Sequence, residues 1–152
     1  MDFINVSNRL PVTLGKSIKK SSGGLVTAME SLDMDFSLKW IGWPGTASEK
    51  IKDKETCPKK LLDSFGFMPV YLTKKQILDF YQNYSNSSLW PVLHYMPILM
   101  KYKESWWQTY KEVNEIFCLV VIQQARTGSI VWVHDYHLML LPELIKRVYE
   151  ED

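Results

Sequence analysis

Four short runs, Phe3 to Ser7, Lys39 to Trp43, Phe67 to Leu72 and Ser129 to Val133, alternate along the chain with segments patterned as helices. The runs read as strands that are apolar on both faces. Such strands, when they alternate with helices, imply a parallel sheet covered on both sides by helices. The expected fold class is therefore α/β, a Rossmann-like parallel sheet. The helical segments support it. Thr73-Lys74-Lys75-Gln76 matches a capping box, in which Thr and Gln side chains satisfy free backbone donors at a helix start. Ile77, Phe80, Tyr81 and Tyr84 supply the apolar spacing that follows. Glu104 to Ala125 carries Trp106, Tyr110, Val113, Phe117 and Val120-Val121 at helical intervals, the signature of a long amphipathic helix. Gly128 is expected to end that helix, and Leu138 to Glu150, with Pro142 in its first turns, to form the last one. A short helix is expected over Leu25 to Ser31, and a polar, lysine-rich surface loop over residues 46–60.

At 152 residues the chain supports one domain with a proper core, since a chain of this size buries roughly 70% of its unfolded surface. Its 46% hydrophobic and 23% charged content excludes wholesale disorder. A net charge of +1 gives no basic surface for wrapping nucleic acid. The longest apolar run, Ile116 to Ile122, is far too short to span a bilayer. Cys57 and Cys118 are too few for a disulfide scaffold, and with no secretory leader they read as free thiols in a reducing, cytoplasmic setting. The aromatic content, six Trp and eight Tyr, suits a core, an interface or a sugar-binding cleft.

Parallel sheets bind ligands beyond the carboxyl ends of their strands, and several candidate features lie there. Ser7-Asn8-Arg9-Leu10-Pro11 places an arginine at a strand end, where its planar fork matches a phosphate; alone it reads first as a solvated surface residue. Ser22-Gly23-Gly24-Leu25 opens a helix, where small residues let free N–H groups approach an anion; alone it reads first as a structural turn. Val131 to His137 ends a strand at His134 and projects Asp135 from its tip, to accept hydrogen bonds from sugar hydroxyls, to serve in proton transfer, or simply to cap the next helix. His134 and His137 flank it, but no H-E-x-x-H, Cys pair or further acidic cluster completes a metal site. Trp40-Ile41-Gly42-Trp43-Pro44-Gly45, and Leu89-Trp90-Pro91 after Tyr81, offer indoles as core or as ligand wall.

Taken together and in this order, Val6 to Pro11, Ser22 to Leu25, Trp40 to Gly45, Tyr81 with Leu89-Trp90-Pro91, and Val133 to Leu138 resemble the trehalose-6-phosphate synthase family over nearly the whole chain. The resemblance implies a retaining glycosyltransferase of the two-domain GT-B type. Such an enzyme transfers glucose from UDP-glucose to glucose 6-phosphate, giving trehalose 6-phosphate and UDP without an essential metal or other cofactor. By resemblance, Arg9 would grip the acceptor phosphate, Tyr81 and Trp90 would line the acceptor pocket, and Asp135 would bond acceptor hydroxyls. Gly23 and Gly24 would lie against the UDP-glucose donor. The family's groups for the leaving UDP and the donor sugar lie downstream of this sequence. Residues 1–152 are thus expected to be an incomplete N-terminal, acceptor-side domain lacking the nucleotide-sugar domain, and inactive alone. The expected partners are a sugar phosphate and a nucleotide sugar, with no nucleic acid and no membrane. A homo-oligomer, or association through surfaces left uncovered, is compatible with that. Trp106, Trp107 and Trp132 are left as packing. The competing reading is a non-catalytic regulatory subunit or sugar-phosphate sensor of the same lineage; a metal-dependent phosphatase built on His134, Asp135 and His137 is a more distant one.

Overall fold

The computed structural model describes residues 2–14, 19–20, 37–51, 61 and 63–150. Strands β1 (Asp2–Arg9), β4 (Ser37–Trp43), β5 (Phe67–Pro69) and β6 (Ile130–Val133) form one sheet in the order β5-β4-β1-β6, and every pairing is parallel. β2 (Val12–Thr13) and β3 (Lys19–Lys20) make a separate antiparallel ribbon. The main sheet grows from β1 outward through β4 to β5, and the chain then returns to add β6 on the other side of β1. That reversal makes a topological switch point between β1 and β6. In open α/β sheets the crevice beyond the strands' carboxyl ends at such a point is where ligands bind.

One face of the sheet holds the larger core. Ile4 and Val6 of β1, Ile41 and Trp43 of β4, and Val70 and Leu72 beyond β5 meet Phe80, Tyr110, Val113, Phe117, Val121, Leu138 and Leu141. The helix Glu104–Gln124 buries Thr109, Tyr110, Val113, Asn114, Phe117, Cys118 and Val121, a stripe at three- and four-residue spacing. The helix Leu141–Glu150 lies against it, with Pro142 tolerated in its first turn. The other face carries a smaller cluster of Leu10, Val12, Leu14, Trp40 and Leu61.

The capping box forms as expected: Gln76 N–H donates to Thr73 Oγ1 (3.2 Å) and Thr73 N–H to Gln76 Oε1 (2.9 Å). The helix that follows differs from a simple α-helix. After Lys74–Gln76 it widens to a π-helix over Ile77–Leu89 and tightens again over Trp90–Leu93. Hydroxyls support the wider register: Ser85 Oγ donates to Phe80 O (2.8 Å) and Ser87 Oγ to Gln82 O (3.1 Å). Pro91 has no N–H to give Ser87 O, the carbonyl an α-helical residue 91 would bond; Lys101 N–H takes that carbonyl instead at 2.8 Å. Trp90-Pro91 therefore lies inside the helical run, and the run ends at Leu93 rather than at this dipeptide.

Several other expectations are corrected. The long helix ends at Gln124, and Gly128 (φ +85°) serves the turn into β6 rather than the helix end. The third strand pairs only over Phe67–Pro69, with Val70 N–H closing the ladder on Gly42 O (2.8 Å). β6 ends at Val133, with Tyr136–Leu138 a 3₁₀ turn before the last helix. β6, one of the two edge strands among the described residues, turns Val131 and Val133 to the larger core and Ile130 (42% exposed) and Trp132 (46%) to the opposite face. Trp132 is accordingly half open, held edge-on by Phe3, rather than ordinary core packing. The expected helix Leu25 to Ser31, Cys57 and the larger part of the 46–60 loop lie outside the described residues; Ser48–Lys50 of that loop forms a 3₁₀ turn. Cys118 is buried and free. No described helix is long and apolar enough to cross a membrane.

Candidate functional site

The position of Arg9 comes from an irregularity in β1. Val6 pairs with Ile41 but Arg9 pairs with Trp43, so β1 carries one more residue than β4 across this step, a β-bulge. Strand side chains alternate faces, and without the bulge Arg9 would follow Phe3 and Asn5 away from the larger core. The extra residue moves it to the face of Ile4, Val6 and Trp43. The bulge is held from within: Ser7 Oγ donates to Arg9 O (2.8 Å) and accepts Trp40 Nε1–H (2.8 Å). Its backbone lies so close to β4 that a Cβ on Gly42 would meet Leu10 N at 2.7 Å and Arg9 C at 2.8 Å. The guanidinium stands over the Trp43 ring (5.2 Å to the centroid), donates to Thr13 Oγ1 (3.0 Å), and lies across Gly45, whose φ is +75°. It ends in solvent at the carboxyl edge of the sheet, free to present its fork to an anion.

On the other side of the switch point, β6 leads to Asp135. Its backbone has φ +74° and ψ 162°, a region that residues other than glycine enter at a cost of about 1–3 kcal/mol and that clusters at functional sites. Oδ1 accepts Tyr136 N–H (2.8 Å), so the capping role is real. Oδ2 lies 3.6 Å from His137 Nδ1, and the side chain is 55% exposed. Capping therefore uses one oxygen and leaves the other facing outward and toward His137. His134 turns back into the sheet, its Nε2 paired with Asn5 Oδ1 (2.6 Å); burial pushes its pKa down, against an opposing pull from Asp135. Burial likewise lowers the His137 pKa, again opposed by Asp135. Among the described residues no three His, Cys, Asp or Glu side chains gather as a metal site.

The helical run Lys74–Leu93 brings Tyr81 and Trp90 to the same turn. Tyr81 stacks on His137 (5.4 Å between centroids, 23°), and Trp90 packs on Tyr136 (5.5 Å) and on His94 (3.6 Å), remaining 45% exposed. Tyr136 O–H donates to Asn86 Oδ1 (2.9 Å), tying the turn after β6 to the helix. Burial raises the Tyr136 pKa to about 12, so its hydroxyl stays a donor at neutral pH. Tyr81, Trp90 and Asp135 thus converge on the Tyr136-His137 pair. Arg9 contacts Thr13 and Trp43 instead, and shares with that group the carboxyl edge and the helix-bearing face of the sheet. Gly23 and Gly24 lie outside the described residues. Sequence reasoning missed Trp43 as the platform under Arg9, although Trp43-Pro44-Gly45 was in view. It also missed Tyr136 and His137 as the hub; two aromatic residues directly after the strand-end aspartate were the available signal.

A family model described as glycosyltransferase family 20 matches residues 1–151. The chain is similar to the α,α-trehalose-phosphate synthase (UDP-forming) of Pichia angusta, at 40% identity over 95% of this chain and 32% of that protein. Similarity to the 56 kDa subunit of the same activity in Saccharomyces cerevisiae is 39%, over 99% of this chain and 32% of the subunit. Among solved structures, α,α-trehalose 6-phosphate synthase from Burkholderia multivorans superposes with TM-score 0.74 at 28% identity, covering 97% of this chain and 30% of that one. A Burkholderia xenovorans α,α-trehalose-phosphate synthase (UDP-forming) in complex with glucose-6-phosphate gives TM-score 0.71 at 25% identity, covering 97% and 31%. The chain spans just under a third of the length of these relatives.

Proposed function

The chain belongs to glycosyltransferase family 20, and from that premise we propose that residues 1–152 form the acceptor side of an α,α-trehalose-phosphate synthase. In this reading the substrate bound here is glucose 6-phosphate. Arg9 grips its phosphate, Tyr81 and Trp90 lie against the sugar, and Asp135 accepts hydrogen bonds from its hydroxyls through the oxygen that capping leaves over. Gly23 and Gly24 face the UDP-glucose donor. The groups that hold UDP belong to the further length that the relatives have, and the reaction calls for no metal or other cofactor. The chemistry this chain supplies is placement: fixing the acceptor against a donor in one cleft can remove about 7–11 kcal/mol of a barrier.

The observation that carries the reading is the β1 bulge. It puts one arginine on the same face and edge as an aromatic wall and a strand-end carboxylate, at the switch point of the sheet. A sugar phosphate needs that combination: a fork for the phosphate, flat rings for the sugar, an acceptor for its hydroxyls. The name of the glucose-6-phosphate-bound relative accords with it. Calorimetric titration tests it. Glucose 6-phosphate should bind at least tenfold more tightly than glucose, and Arg9→Ala should remove that advantage while leaving glucose unaffected. Equal binding of the two sugars, or an equal loss of both on Arg9→Ala, would refute the assignment. The 152 residues are expected not to turn over alone; trehalose 6-phosphate formed from UDP-glucose and glucose 6-phosphate by this chain would overturn that part.

A further inference from the structure

We infer that His137 is the positioning residue for Asp135: a buried imidazole whose Nδ1–H aims the Asp135 carboxylate at the acceptor sugar. The inference rests on the acceptor-side reading above and adds to it the group that orients the carboxylate. His137 is only 6% exposed, yet neither ring nitrogen has a hydrogen-bond partner. A buried polar side chain left unpaired calls for an explanation in function or in a bound state. Nδ1 points at Asp135 Oδ2 from 3.6 Å, just outside hydrogen-bond range. An oxygen that can only accept fixes the proton on Nδ1, the tautomer a donor requires.

The two partners differ in freedom, and that gives the direction of control. His137 is a fixed post. Its ring stacks on Tyr136 (4.2 Å) and Tyr81 (5.4 Å) and lies 6.3 Å from Phe80. Its carbonyl accepts Asn114 Nδ2–H (3.2 Å), and the backbone on either side is held by Tyr110, whose hydroxyl donates to Tyr136 O (2.7 Å) and accepts Met139 N–H (3.2 Å). The Asp135 side chain is more than half exposed, on a backbone that is itself out of the common regions. A shift of a few tenths of an ångström by the carboxylate completes the bond. Oδ1 is then held by Tyr136 N–H and Oδ2 by His137, and the outward lone pairs of both face the cleft. The aromatic stack adds a second link, since Tyr81, a wall of the same pocket, rests on the same ring.

Glucose 6-phosphate titration of the chain tests this through His137→Phe, which keeps the ring and its stacking but removes both nitrogens, and His137→Asn, whose amide nitrogen takes the place of Nδ1. His137→Phe should weaken binding about tenfold, His137→Asn should return it to within about threefold of the parent, and His137→Phe should change nothing further in an Asp135→Asn background. In the parent chain an NMR signal of the His137 Nδ1 proton should become protected on adding glucose 6-phosphate, and should not do so in Asp135→Asn. If Asp135→Asn weakens binding but the two substitutions are additive, or Asn fails to rescue, or no protected proton appears, the positioning role is wrong and the acceptor reading stands. If Asp135→Asn leaves binding unchanged, the acceptor role of Asp135 falls and the inference with it.

Discussion

Gly45→Ala should disarm Arg9 without touching it. Gly45 has φ +75°, and an added Cβ would run into Arg9 Nη2 and sit 3.2 Å from Arg9 Cζ and 3.0 Å from Thr13 Oγ1. A left-handed conformation costs alanine about 1–2 kcal/mol. The contact is with the tip of a flexible side chain, so it is relieved by moving the guanidinium and adds little to that figure. A melting temperature lower by about 2–8 °C follows for a chain of this size. The displaced guanidinium leaves the Trp43 ring and Thr13 Oγ1, the two contacts that set its direction. A charge-assisted bond to phosphate is worth about 1.5–3 kcal/mol, so glucose 6-phosphate affinity should fall roughly ten- to hundredfold. Glucose binding, which makes no use of the arginine, should be unchanged. Scanning calorimetry and isothermal titration on Gly45→Ala, Arg9→Ala and the double variant separate the effects. In the double variant the thermal loss should remain and the affinity loss should not grow beyond that of Arg9→Ala. Glucose 6-phosphate affinity within about twofold of the parent, alongside the expected thermal loss, would refute the argument that this arginine and its seat form the phosphate site.

Gly42→Ala should be worse for stability, because the added Cβ meets backbone atoms of Ser7, Arg9 and Leu10 at 2.7–2.9 Å; a loss of about 3 kcal/mol or more by urea unfolding is expected, and a loss below about 1 kcal/mol would mean the bulge yields easily. Asp135→Gly should leave the melting temperature nearly unchanged, since relief of about 1–3 kcal/mol of backbone strain offsets the lost cap and the added freedom of glycine, while glucose 6-phosphate binding falls. His134 and His137 both bind protons less readily folded than their ordinary value of 6.5 because burial disfavours the charged ring. The unfolded chain therefore takes up protons first as pH falls below about 6.5, stability drops with it, and His137→Phe should flatten that slope in urea titrations between about pH 7.5 and about pH 5. Tyr110→Phe, which removes the hydroxyl bridging Tyr136 O and Met139 N–H, should cost about 1–3 kcal/mol and also weaken glucose 6-phosphate binding, through a loosened Asp135 turn.

Much of this architecture is legible locally. The stripe Tyr110, Val113, Phe117 and Val121 announces a helix because one face of a helix recurs at a fixed spacing, and Thr73 with Gln76 forms a capping box from four consecutive residues. The strand at Lys39 to Trp43 and the strand-end aspartate are read the same way. What was not legible depends on partners distant in sequence. Ile130 and Trp132 are as apolar as Ile4 and Val6, yet half open, because they alternate onto the face of β6 away from the larger core, while Val131 and Val133 pack against it. The π-register of Ile77–Leu89 is not announced by its apolar spacing, and the Ser87 carbonyl that Pro91 cannot bond is taken by Lys101 N–H from across a loop. His137 looks like any polar residue after a strand until its ring is found enclosed by Phe80, Tyr81 and Tyr136.

Side-chain chemistry and helix or strand periods, which are local, mark Arg9, Tyr81, Trp90 and Asp135 as candidates but leave each open between ligand contact and packing, capping or solvent; only their order along the chain, through the resemblance to a known family, singles them out for a sugar phosphate. The direction in which Arg9 faces depends on contacts between distant segments. A strand alternates its side chains at every residue, so a single extra residue between Val6 and Arg9 reverses the face. Whether β1 takes up that residue depends on β4 lying close enough at Gly42 for the bulge to nest against it, a contact between segments that the chain brings together only on folding.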